Sequence, residues 1–113
     1  MSLFQKKLEA KFYSFSSGKE PVKEWLKELH KDDRHTIGLD IKTIEFGWPI
    51  GMPVCRPLGQ GLYEVRSTLK NRTIARVFFC MEENFMILLH GFIKKTPEKE
   101  LEIAYKRLKE TKK

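Results

Sequence analysis

Cysteine is scarce. Cys55 and Cys80 are the only two in a chain of 113 residues, too few for a disulfide framework. Cys80 lies inside an apolar run and reads as a buried, reduced thiol. Long hydrophobic runs are also lacking. No window approaches the roughly 18 apolar residues of a membrane-spanning helix. The first residues, Met-Ser-Leu-Phe-Gln-Lys-Lys-Leu-Glu, hold no hydrophobic signal core. A cytoplasmic protein is expected. There are no internal repeats and no low-complexity linker, and the length predicts one domain over residues 1–113.

Several chemistries are missing as well. No phosphate loop or dinucleotide fingerprint occurs. His30 and His35 are five apart, which is not a ligand spacing, so no metal site is expected. No serine or cysteine has an evident base partner. Neither a metal nor a small-molecule cofactor is predicted.

Basic charge is abundant. Twenty-two Lys and Arg face 15 Asp and Glu, a net charge of +7. Residues 94–113 carry 8 basic and 4 acidic side chains, so the excess gathers at one end. Such a domain suits a polyanionic partner such as RNA, DNA or an acidic protein, although a basic surface also serves solubility.

The pattern of apolar residues predicts an α+β domain. Residues 8–15 read as a first strand. Pro21 suits a first helical turn. Val22, Trp25, Leu26 and Leu29 follow as one apolar stripe, and Ile37, Ile41 and Ile44 as another. Two helices are predicted, over about 20–30 and 33–46. Asp32 or Asp33 serves as N-cap of the second, and Gly47 stops it. The Gly- and Pro-rich residues 47–61 predict a loop. Three strands, 62–69, 73–81 and 85–93, then form an antiparallel meander across turns at 70–72 and 82–84. A terminal helix begins with Thr96 as cap and Pro97 behind it, and buries Leu101, Ala104, Tyr105 and Leu108. Ile103 points away from that stripe.

The meander predicts a register. With three-residue turns, Arg66 faces Arg76 across the first hairpin and Arg76 faces His90 across the second. Like charges directly opposite destabilise a sheet, so a row Arg66–Arg76–His90 invites an anion between its members. Guanidinium groups bind phosphate through paired N–H donors. Alternatively, each arginine pairs with a nearby carboxylate such as Glu64. A two-residue second turn would move His90 to the other face. Lys94 and Lys95 extend the positive row. On RNA, such a row fits a metal-free reaction: the 2′-OH attacks its own 3′ phosphate. This needs a base, an acid and fixed positive charge. Histidine is the residue type that can act as acid or base near neutral pH, which makes His90 a candidate, and a lysine among cations is more easily deprotonated.

Four segments in order then resemble a known family. They are Pro-Leu-Gly-Gln-Gly-Leu-Tyr-Glu-Val-Arg (57–66), Arg-Val-Phe-Phe (76–79), Ile-Leu-Leu-His-Gly-Phe-Ile-Lys-Lys-Thr-Pro (87–97) and Glu-Ile-Ala-Tyr-Lys-Arg-Leu (102–108). They resemble the phage-derived HigB-like toxins of the RelE/ParE superfamily, from about Pro21 to Leu108. The resemblance implies a small RelE-like domain and a toxin of a type II toxin–antitoxin pair. It implies metal-independent cleavage of mRNA on the 70S ribosome and a HigA-like helix-turn-helix antitoxin as partner. Arg66 matches the family's strand arginine on the scissile phosphate, and Arg76 a common arginine of the next strand. Lys95 falls near another functional basic residue, and His90 belongs to the Leu-His-Gly-Phe motif. Leu101 stands where RelE-type toxins carry a base-stacking tyrosine, with Tyr105 one turn later. The expected catalytic residues are Arg66, Arg76, His90 and Lys95, with Lys94, Arg56, Lys70 and Arg72 as further RNA contacts. The alternatives are a ParE-type inhibitor of DNA gyrase, which needs no proton-transfer group, and a degenerate member that only binds RNA or its antitoxin.

Overall fold

A computed structural model describes residues 5–93 and 98–112. The chain runs β1 (Glu9–Phe12), α1 (Pro21–Glu28), α2 (Lys31–Gly47), β2 (Cys55–Gly59), β3 (Leu62–Thr68), β4 (Ile74–Glu82), β5 (Phe85–Ile93) and α3 (Glu98–Thr111). The strands form one mixed sheet in the order β1-β5-β4-β3-β2. The α+β architecture predicted from periodicity is therefore present.

Each face of the sheet has its own core. On one, Val22 of α1 and Ile37, Ile41 and Ile44 of α2 pack against Val65, Val77, Phe79 and Leu88. On the other, Ala104 and Leu108 of α3 cover Leu62, Phe78, Cys80, Leu89 and Phe92. This double burial explains why β4 and β5 carry apolar residues on both faces.

Several local expectations need correction. Residues 55–59 are not loop: β2 pairs antiparallel with β3 at the sheet edge, where Pro57 is tolerated because an edge strand has spare N–H positions. β1 covers only 9–12 of the expected 8–15, and it pairs parallel with β5. It is anchored by the buried Glu45, whose carboxylate accepts from Ala10 N at 2.6 Å. The N-cap of α2 is His30, whose Nδ1 accepts from Asp32 N at 3.2 Å; Asp32 and Asp33 lie in the first turn instead. The expected Thr96 cap and Pro97 lie outside the described residues.

The first hairpin follows the predicted register. Arg66 pairs with Arg76, and Leu69 N donates to Thr73 O at 2.9 Å. The second does not. Glu82 pairs with Phe85, so the turn is the two residues Glu83-Asn84, with Glu83 at φ 55°. That shorter turn alone would turn His90 to the α2 side. A bulge reverses the shift: Phe79 pairs with Leu88 and Phe78 with His90, leaving Leu89 as the extra residue. His90 thus returns to the α3 side, but opposite Phe78 rather than Arg76. Arg76 faces Phe92.

Candidate active site on the α3 face

Two adjacent cross-strand rows carry the polar groups. One runs Arg56, Glu64, Phe78, His90 from β2 to β5; the other runs Arg66, Arg76, Phe92. The second row lies toward the 69–73 turn. The expected row Arg66–Arg76–His90 is therefore bent, with His90 diagonal to Arg76 by one step along the sheet.

Glu64 is the centre of charge. It is 1% exposed. Its Oε1 lies 2.8 Å from Arg76 Nε, whose side chain is 12% exposed. The geometry is that of a close ion pair rather than an aligned hydrogen bond. A buried carboxylate needs such a partner, because an uncompensated charge there costs several kcal/mol. Arg56 is its cross-strand neighbour and is exposed. Arg66 is half-buried; its backbone N donates to Val54 O at 2.9 Å. Among the described residues no carboxylate lies within ion-pair distance of Arg66 or Arg56. The alternative in which a nearby glutamate neutralises an arginine is thus realised for Arg76.

His90 is held from both sides. Its Nε2 lies 3.2 Å from Glu100 Oε1, and its Nδ1 lies 3.5 Å from an Arg107 Nη. The ring stacks on Phe92 with centroids 5.6 Å apart. Arg107 also donates to Leu89 O at 2.7 Å, which secures the bulge. Its guanidinium stacks over Phe15 at 5.2 Å and Tyr13 at 5.8 Å, and burial lowers its pKa from the ordinary value. Motif and register reasoning misses Glu100 and Arg107. Their seven-residue spacing, with Ala104 between, puts both on the sheet-facing side of α3, and that spacing is the signal that could have found them.

The other expected contacts disperse. Lys70 Nζ lies 2.8 Å from Asp32 Oδ2. Their hydrogen bond and opposite charges lower the Asp32 pKa and raise that of Lys70. Arg72 is exposed in the same turn at φ 67°. Lys94 and Lys95 lie outside the described residues. Leu101 packs at the margin of the α3 core, and Tyr105 donates its hydroxyl to Leu58 O and Gly59 O, at 3.2 and 3.0 Å. Tyr105 therefore ties α3 to β2. Gly91 of the Leu-His-Gly-Phe motif also has a packing role. A Cβ there would lie 2.5 Å from Trp25 Cε3 and Cζ3.

No three His, Cys, Asp or Glu side chains gather as a metal site among the described residues, and no helix among them is long and apolar enough to cross a membrane. What the face offers is guanidinium charge at fixed spacing, one buried carboxylate that orients part of it, and an imidazole one step away. That set suits binding and stabilising a phosphate.

No curated protein matches the sequence significantly. Residues 24–109, from α1 through most of α3, match the family described as Phage derived protein Gp49-like (DUF891). That span holds both arginines, Glu64, His90, Glu100 and Arg107, and on this match the chain belongs to the phage-derived Gp49-like family.

Proposed function

We propose that the protein is the toxin of a type II toxin–antitoxin pair and acts as a metal-independent endoribonuclease on ribosome-bound mRNA. The observation that carries this reading is the direct opposition of Arg66 and Arg76, with Arg76 held by Glu64. Membership in a phage-derived family and the resemblance to HigB-like toxins of the RelE/ParE superfamily support it.

In this reading the scissile phosphate sits over the Arg66–Arg76 row. The 2′-OH attacks the adjacent phosphorus. The P–O5′ bond breaks, leaving a 2′,3′-cyclic phosphate and a 5′-OH. Negative charge grows on the equatorial oxygens, and prepositioned guanidinium groups stabilise it. The 2′-OH proton must leave and the 5′ oxygen must gain one. His90 is the proton-transfer candidate on this face, and it reaches a leaving oxygen only if its contact with Glu100 opens. Lys94 and Lys95 are the remaining candidates for base or clamp, and Arg56 extends the positive surface. The partner expected for control of the toxin is a HigA-like helix-turn-helix antitoxin.

The deciding experiment is primer extension on a translated mRNA with purified protein, with and without 70S ribosomes, in magnesium and with excess EDTA in the ribosome-free arm. Ribosome-dependent cuts, lost in Arg66→Ala, are expected. A protein that arrests growth yet cuts nothing would move the reading to a non-nuclease target such as DNA gyrase.

A further inference from the structure

The outer side of α2 is the second unusual surface. Lys31, Arg34, His35, Gly38, Leu39 and Lys42 line one shallow groove there. At 100° per residue they fall within about 140° of the helix circumference. All six are exposed, with Leu39 at 51%.

This surface works against local stability. Lys31 and Arg34, three apart, repel each other. Among the described residues no carboxylate lies within ion-pair distance of Lys31, Arg34 or Lys42. Gly38 sits in the middle of a 17-residue helix, where glycine is the least favourable residue after proline. A Cβ at Gly38 would meet nothing within 4 Å, so no packing within this chain demands a glycine. Leu39 is left in solvent. The acidic side chains of α2 do not offset the charge. Asp33 and Asp40 lie on the other side of the helix. Asp32 flanks the groove and is tied to Lys70, and Glu45 is buried against β1. Arg34 Nη1 donates to Lys27 O at 3.4 Å; local rules broken together, with so little compensation inside the chain, mark a surface shaped for something outside it.

The chemistry selects the occupant. Lysine and arginine heads around a side-chain-free notch complement a phosphate backbone, and a single leucine offers apolar contact to a ribose or base edge. Lys31 and Lys42 are about 16 Å apart along the axis, enough to follow several phosphates of one strand. We infer that the outer face of α2 is a second RNA-contacting surface, which grips the backbone of a structured RNA with Gly38 as the point of closest approach. The buried side of α2 packs on the sheet face opposite Arg76, and Arg66 shares a shallow pocket with Thr36 and Asp40, which lie outside this groove on α2. RNA docking on α2 does not depend on cleavage. It adds a binding surface separate from the candidate cleft.

The test is fluorescence anisotropy of a labelled RNA stem-loop titrated with the full chain over a range of KCl concentrations. Arg34→Gln/Lys42→Gln is compared with the charge-matched Lys19→Gln/Lys109→Gln, and both are repeated in an Arg56→Ala/Arg66→Ala background that disables the cleft. The α2 pair is expected to weaken binding about tenfold at low salt. It should also flatten the plot of log affinity against log salt by about 0.7–0.9 for each phosphate no longer neutralised. The control pair is expected to do much less. Gly38→Ala separates structure from contact: it should raise the unfolding midpoint while weakening RNA binding. Equal losses in both pairs, or unchanged affinity in the α2 pair, overturn the inference. The second result would point to an acidic protein partner instead. Loss of binding through the cleft variant alone would leave the cleft reading standing and this one refuted.

Discussion

Arg66 and Arg76 face each other directly across β3 and β4, yet they live in different electrostatic surroundings. Arg76 has the buried Glu64 at 2.8 Å. No such carboxylate reaches Arg66 among the described residues. The two arginines should therefore fail differently when truncated. Arg66→Ala is expected to change stability by less than about 1 kcal/mol and to lower cleavage at least about 100-fold. Arg76→Ala strands Glu64 and is expected to cost about 3–5 kcal/mol. Glu64→Gln in the same chain should recover part of that loss. Urea unfolding followed by the fluorescence of Trp25 and Trp48, beside primer extension, checks both. A stable, active Arg66→Ala protein would remove the phosphate clamp.

His90 bridges catalysis and packing. Removing its ring leaves Glu100 and Arg107 facing a gap beside Phe92. His90→Gln keeps a polar side chain there and should cost about 1–2 kcal/mol. If His90 moves a proton, cleavage falls about 100-fold or more while binding to a non-cleavable mRNA on the ribosome stays the same. Unchanged cleavage by the folded variant would make the contact with Glu100 the whole of its role.

Gly91 tests close packing rather than chemistry. A methyl group at position 91 would approach the Trp25 ring to 2.5 Å, which leaves no room for alanine. Gly91→Ala is expected to destabilise the protein by about 1–3 kcal/mol, as overpacked cores do. The pairing Gly91→Ala/Trp25→Leu should recover stability, measured by thermal unfolding.

Cys55 gives a pH signature. Burial, with the Glu64 charge as a lesser cause, pushes its thiol up to about 11 from an ordinary value of 9.0. The unfolded chain loses this proton first as pH rises, so the contribution to stability is complete below about pH 9 and disappears between about pH 9 and 11. Cys80 is raised in the same direction, chiefly by burial. Thiol labelling at pH 8 should be slow in the folded protein and should accelerate with urea in step with unfolding. Fast labelling of Cys55 in the absence of urea would contradict its burial.

Much of this architecture is legible from local rules. The periodicity of Ile37, Ile41 and Ile44 marks the buried side of α2, because helical spacing alone sets which side chains share a face. The Lys70-Asn71-Arg72 turn sets the register that brings Arg66 opposite Arg76, because a short hairpin has few ways to close.

Other features depend on residues far apart in the chain. At the Leu89 bulge, Arg107, eighteen positions later, donates to the Leu89 carbonyl. The bulge, and not the two-residue turn alone, sets the face of His90. β2 exists because β3 offers an edge, which no count of glycines and prolines between 47 and 61 reveals. β1 pairs parallel with β5 and is also tied to Glu45 at the far end of α2. The different fates of the two arginines come from one carboxylate that only folding buries beside Arg76. Local sequence determined which elements form and which side of each is apolar, because propensity and periodicity act within a few residues. The tertiary structure decided how the charges pair, because desolvation and ion-pair geometry exist only once distant strands and helices have met.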